Sequence, residues 1–592
     1  MRIPPADLRL YYIQRPPVQI PGVRNPQTYF PSLEILFPSL VDETAGSPAL
    51  AATELALTVS GDRAIVENTT TRSKREVPVW IRPMHLVEPL DYLEGEYVLP
   101  QDGALPASRG PWQRALRKLN DPFNEAYTDA VYACMASRLV ETARSPHWCR
   151  FYGTMNGRVP EYRYNITEDM QDIEGEEWFT NALAKGLFSI EVADIDNESV
   201  ISQFVPGKTG SPRRRSIGSN AVSVTSASPS GSEVELLEEV AAAPAAAGGD
   251  SGADELVEAE PELEVATAAP TVRRPHVRLS RHSGDSSASS SGSGDSDESD
   301  GLIYRAVMPD FPVQMTFIER CDGTMDDLME AEIADDATAD MRETKEQRWT
   351  AWLFQVVAAL AVAQQTYDFV HNDLHTNNVM WCGTGETHLY YHVTGAAGGD
   401  RYYKVPTYGR IFKIIDFGRA TFRPPAAAGG NHLWMPDAYA PGGDAAGQYN
   451  CGQHFEQGRP KIQPSKSFDL CRLAVAVLDT LWEDAPPSAT PKKVLTREPG
   501  RVQHETTSPL WNLLWLWLTD REGKNVLRAP DDSERYPEFD LYCAIARDVH
   551  NAVPAQQLTL PLFDTAFRCP RKDVPAEAPL WKLQAIAASG KI

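Results

Sequence analysis

The sequence predicts an α+β chain of two lobes, one rich in strands and one rich in helices, with a long acidic insertion inside the first. Three observations carry that prediction. Short apolar strand patterns and one helical stripe precede residue 329, and long helical patterns follow it. Two ordered polar motifs fall in the second part, each just after or between apolar residues of strand character. Between 207 and 301 the composition changes abruptly to Ser, Gly, Ala and acidic residues.

In chain order, residues 1–45 read as an N-terminal extension and 46–206 as the first part of the strand-rich lobe. Val77-Pro78-Val79-Trp80-Ile81-Arg82 is short, apolar and bounded by polar residues, so a strand. From Pro122 to Thr142, Phe123, Tyr127, Val131, Met135 and Leu139 recur every four residues as a helical stripe. Val313–Glu319 alternates as the last strand and breaks at Cys321-Asp322-Gly323, so 302–328 closes the first lobe. In 329–592, Lys345–Tyr367 is helical and apolar on a wide face, and Phe468–Trp482 begins a second helix after Ser465-Lys466-Ser467.

The insertion at 207–301 is expected to be disordered. From Glu233 to Asp300 it carries 16 acidic residues against 4 basic ones, and such a stretch cannot bury enough apolar area to offset its ordering entropy. Its basic patch Pro212-Arg213-Arg214-Arg215-Ser216 and its Ser/Asp tract from Ser283 to Asp300 read as parts of a solvated tether or as phosphorylation or localisation signals.

Bulk composition excludes several classes. A formal net charge of -25 argues against general nucleic-acid binding. The longest apolar run, Trp352–Ala363, is shorter than the roughly 20 residues a membrane span needs. The eight cysteines are scattered, with no C-x-x-C spacing, which suits core thiols in a reducing compartment. The expectation is a soluble intracellular protein.

The chemistry lies in the two motifs. His371-Asn372-Asp373-Leu374-His375-Thr376-Asn377-Asn378 reads as H-x-D-L-x-x-x-N, and Asp416-Phe417-Gly418 reads as D-F-G. The ordered pair matches the catalytic loop (371–378) and the metal loop (416–418) of protein kinases. Phosphoryl transfer asks a protein for positioning and charge neutralisation. On this reading Asp373 accepts the proton of an attacking hydroxyl, and Asn378 and Asp416 offer the hard oxygens that Mg²⁺ prefers. His371 and Phe417 pack together to hold the loops.

With these residues in view, the chain resembles the protein-kinase-like proteins encoded by nucleocytoplasmic large DNA viruses. The likeness extends to Tyr29–Leu33, Phe151-Tyr152-Gly153, Tyr402–Lys413, Gly447-Gln448-Tyr449, Ser467–Ala474 and Glu534–Tyr542. It implies a two-lobed protein-kinase-like fold, ATP and Mg²⁺ as cofactors, a protein substrate and serine/threonine specificity. It also implies an enlarged hairpin leading into Asp416. Glu319 and Cys321 match the hinge, where main-chain groups meet adenine, and Asp469 matches the carboxylate that holds the catalytic-loop backbone.

Several positions depart from the pattern. The glycine-rich loop reduces to one glycine, Gly61, in Val59–Arg63, which suits phosphate approach poorly. Arg82 stands where the lysine of V-A-I-K is expected, and the two cations are not interchangeable. Its acidic partner is either Asp129 or Glu125. Asn372 replaces the arginine that receives a phosphorylated activation loop, so that switch is not expected. His375 replaces lysine, giving an H-x-D-x-H form that also resembles aminoglycoside and choline kinases. No A-P-E closes the activation segment. Three functions follow as alternatives: an ATP- and Mg²⁺-dependent serine/threonine protein kinase, a pseudokinase scaffold with little turnover, and a small-molecule kinase.

Overall fold

A computed structural model describes residues 8–586 apart from 14–19, 21, 39–46, 98–104, 107–113, 168, 195–199, 205–301, 334–338, 397, 426–431, 441–442, 444, 450–463, 482–507, 530–533 and 537–539. The acidic insertion, its basic patch and its Ser/Asp tract lie outside the described residues. Within them the chain is α+β.

The strand-rich part is built on one antiparallel sheet. Strands β1 (Glu54–Ser60) and β2 (Arg63–Asn68) form a hairpin whose two-residue turn is Gly61-Asp62. Gly61 sits at φ +56, a conformation that suits the first central position of such a turn. Strand β3 (Lys74–His85) follows, with Val77 and Val79 buried and Glu76 and Trp80 turned out, the two-residue period of a half-buried strand. It runs beyond the expected Val77–Arg82 at both ends, over Lys74-Arg75-Glu76 and Pro83-Met84-His85. Helix α1 (Glu125–Glu141) follows after two short helical turns at Pro89–Leu93 and Arg114–Leu119. It starts three residues later than the stripe suggests, because the Asn124 side chain caps it by accepting the Ala126 N–H at 3.0 Å.

Strands β4 (Phe151–Asn165) and β5 (Leu302–Glu319) extend the sheet. The expected strand Val313–Glu319 is only the end of β5. Pro309, Asp310 at φ +52 and Pro312 interrupt the alternation upstream, and the first half pairs with β4 all the same. Adjacent strands run β4, β5, β3, β2, β1, and Arg82 faces Thr316 across the β3–β5 ladder.

The helix-rich part hangs on α2 (Ala339–Tyr367) and α3 (Phe468–Leu481). Helix α2 is buried all round from Ala351 to Ala363, beyond the wide apolar face expected of it. It begins six residues before the expected Lys345, over a polar turn that carries no apolar stripe. Between the two helices lie β6 (Val379–Gly383), β7 (His388–Thr394), β8 (Arg401–Pro406) and β9 (Arg410–Ile414). β6 pairs with β9, while β7 and β8 form a separate hairpin. Helix α4 (Asp540–Asp548) and strand β10 (Leu580–Gln584), which runs parallel to β7, follow. Among the described residues no helix is long and apolar enough to cross a membrane, and the described cysteines are all free thiols.

Candidate active site

The segment from 369 to 378 leaves α2 and is fixed mainly through its backbone. Asp469, buried at the start of α3, accepts the N–H of His371 at 3.0 Å and of Asn372 at 3.0 Å. His371 Nε2 meets the Ile415 carbonyl at 2.8 Å, and its ring lies 5.8 Å from that of Phe417. The two motifs are therefore held against each other.

Asn372 and Asp416 both sit at φ +68. Left-handed backbone is tolerated best by Asn and Asp among residues with a Cβ, which gives a physical reason for asparagine at 372. Its side chain donates to the Arg419 carbonyl at 2.9 Å and accepts from the Tyr449 hydroxyl. The segment after Asp416 is thus tied to the loop by neutral hydrogen bonds.

Asp373 is only partly buried. Burial pushes its carboxyl upward, but Arg419 and Arg472, with a hydrogen bond from Tyr542, hold it well below the usual carboxylate range. Asn378 donates its amide to the Asp373 carbonyl at 2.9 Å and to His375 Nε2 at 3.0 Å. Two donations from one nitrogen leave the amide oxygen for a cation. They also require His375 to accept, hence a neutral imidazole protonated on Nδ1. Burial agrees, holding His375 below its ordinary value against the pull of Asp373 and Asp416.

Arg82, at the inner end of β3, forks between two carboxylates. One nitrogen meets Asp129 Oδ1 at 2.5 Å and the other meets Asp416 Oδ1 at 2.7 Å. Of the two candidate partners on α1, Asp129 is the one that pairs. It also receives the Phe417 N–H at 2.7 Å. Burial raises the Asp129 carboxyl, while Arg82 and the Phe417 N–H work against that rise. Glu125 instead lies at the first turn of α1, where its N–H donates to Asp437 Oδ1 at 3.1 Å.

Beside this ion-pair chain is a cavity lined by Arg82, Thr316, Ile318, Cys149, Ile415 and Asp416. Cys149, Ile318 and Ile415 form an apolar patch with Cys321 and Met380 packed on it. Cys321 therefore reaches the site as part of that patch. The Glu319 N–H is taken by the Arg150 carbonyl at 2.9 Å, and its carboxylate by Lys413 Nζ at 2.8 Å. So position 319 has no main-chain donor to offer a base, while the Cys321 N–H has no such partner among the described residues.

Gly61 lies in a turn tied down by its neighbour. The Asp62 carbonyl accepts the Val79 N–H at 2.8 Å, and the Asp62 carboxylate pairs with Arg320. A Cβ at Gly61 would meet nothing within 4 Å, so the glycine answers to turn geometry.

Sequence reasoning missed Tyr542, Arg472, Asp437, Met380 and Cys149. One signal was available. Asp469 and Arg472 are three residues apart in a helix otherwise apolar at Leu470, Cys471, Leu473 and Ala474, and two charges on a buried helix require partners. The chain matches no protein-family model and no curated protein.

Proposed function

We propose that the chain is an ATP- and Mg²⁺-dependent phosphotransferase, a serine/threonine protein kinase with the two-lobed fold its sequence resembles. The observation that carries the reading is the ion-pair chain Asp129–Arg82–Asp416 beside the Asp373–Asn378 loop. Protein kinases use a cation on the third strand, paired with an acid on the following helix, to hold the phosphates, and a D-F-G aspartate to hold the metal. Arg82 on β3 and Asp129 on α1 occupy those places, with arginine and aspartate in place of lysine and glutamate.

The donor set fits Mg²⁺. The Asp416 carboxylate and the Asn378 amide oxygen are hard ligands, and among the described residues no group of three His, Cys, Asp or Glu side chains could hold an ion alone. That suits a cation held by one or two protein oxygens and completed by phosphates and water. When bound, Mg²⁺ would neutralise phosphate charge. The chain's own residues then divide the work. Asp373 orients the attacking hydroxyl and takes its proton. Neutral His375 adds a polar contact without a charge, and the Arg82 guanidinium faces the phosphates. The patch of Ile318, Ile415 and Met380 offers a purine an apolar surface. A two-residue turn at Gly61 presents few N–H groups, so side-chain cations carry more of the phosphate binding than in a glycine-rich loop.

A second reading, a nucleotide-binding scaffold with little turnover, is favoured by the direct Arg82–Asp416 pair, which a metal must compete with. Radiolabel transfer from ATP to casein, histone and the chain itself, with and without Mg²⁺, separates the two. The kinase reading expects Mg²⁺-dependent transfer that falls by orders of magnitude in Asp373→Asn, with nucleotide binding kept. Nucleotide binding with no transfer by the parent would establish the scaffold. Transfer by Asp373→Asn within about threefold of the parent would remove Asp373 from the mechanism, general-base catalysis being expected to contribute at least about a hundredfold.

A further inference from the structure

The hydroxyl of Tyr542, on α4, donates to Asp373 Oδ1 at 2.8 Å, across 169 residues of chain. The same oxygen accepts the Arg472 Nε–H at 3.0 Å, and the guanidinium lies over the Tyr542 ring, 5.3 Å from its centroid. A phenol that accepts from a guanidinium has one proton left to place, and here it is aimed at the carboxylate. Tyr542 is 4% exposed and Arg472 7%, so neither readily exchanges its partner for water. Burial pushes the phenol up to about 12, which keeps it a donor across the working pH range.

Arg472 stands one turn after Asp469 on α3. That helix therefore holds the catalytic loop twice: by the backbone at 371 and 372 through Asp469, and at the Asp373 carboxylate through Arg472 and Tyr542. The ring of Phe468, from the same helix, lies 5.8 Å from that of Tyr542 and closes the packing around it.

We propose that Tyr542, backed by Arg472, is a positioning residue for phosphoryl transfer. It fixes one oxygen of Asp373 so that the other is presented to the attacking hydroxyl. The inference rests on Asp373 being the base. A hydrogen bond to the carboxylate weakens it as a base, but most of what phosphoryl transfer asks of a protein is positioning and charge neutralisation. Orientation counts for more, since a misplacement of about 1 Å can lower a rate on the order of a hundredfold. Positioning therefore outweighs the lost basicity.

The test is Tyr542→Phe in the full chain, which removes only the hydroxyl. Single-turnover transfer should fall roughly ten- to a hundredfold, while KM for Mg-ATP and Tm stay close to the parent's. In an Asp373→Asn background the same change should cause no further fall, because the group being positioned is gone. A Tyr542→Phe variant as fast as the parent or faster overturns the inference; so does an equal loss in both backgrounds. Should that variant melt below the assay temperature, Arg472→Lys, which frees the phenol to turn away, carries the same expectations. A parent that binds Mg-ATP but transfers nothing overturns the proposed function and this inference together. An active parent matched by Tyr542→Phe overturns this inference alone.

Discussion

Arg82→Ala tests the centre of the site, because its structural and chemical consequences can be measured separately. The side chain is 15% exposed and that of its partner Asp129 only 2%. Removing one member of a buried pair typically costs about 3–5 kcal/mol. Here protonation limits the loss, since neutralising an ordinary carboxyl at pH 7 costs about 4 kcal/mol, three pH units at about 1.4 each. Asp129 also keeps the Phe417 N–H and already lies above the ordinary range, so a loss of about 3 kcal/mol is expected at pH 7. The sign with pH follows. A carboxyl raised in the folded state contributes its stability in full below about pH 4 and loses it as pH rises through its folded value. Without Arg82 that rise is larger, so the penalty is greatest at neutral pH and shrinks on acidification. In Asp129→Asn, where no charge is stranded, Arg82→Ala should cost much less. Urea unfolding at pH 7 and pH 5 measures all of this. A penalty unchanged by pH and by Asp129→Asn would refute the reasoning. Transfer should fall separately, by about 2–4 kcal/mol for one preorganised contact. Arg82→Lys should recover most of it, although an ammonium cannot fork onto two carboxylates.

Asp416→Ala should abolish the Mg²⁺-dependent part of the thermal shift given by ATP, because it removes the metal carboxylate; an identical shift in mutant and parent would contradict that assignment. Asp437→Ala should lower transfer without touching a reactant. The Asp437 carboxylate accepts the Glu125 N–H and pairs with Lys118 Nζ at 2.6 Å. Losing it should cost about 1.5–3 kcal/mol and speed amide exchange in the first turn of α1; unchanged exchange would show that the contact does not hold the helix.

The placing of β3, α1, the end of β5, α2 and α3, and of the chemistry-bearing loops, was legible in the sequence because each rests on local signals. Spacings of four marked α1, alternation marked the end of β5, and H-x-D-L-x-x-x-N and D-F-G need only short-range spacing. The start of α1 was misplaced because a cap is a side-chain hydrogen bond, and the first half of β5 was hidden by prolines that break the pattern while the backbone still pairs.

What the sequence determined by itself, then, was which residues carry charge and hard oxygens and in what order they come. Tertiary structure alone decided which of them meet. Asp129 and Glu125 lie four residues apart on one helix, and only the approach of β3 to that helix selects Asp129 for Arg82. Tyr542 reads only as the last residue of the Glu534–Tyr542 stretch until folding brings it to Asp373. The physical reason is the range of the interactions. Periodicity and turn chemistry act over a few residues and are written along the chain, whereas an ion pair or a hydrogen bond between 373 and 542 exists only after the core has closed the distance.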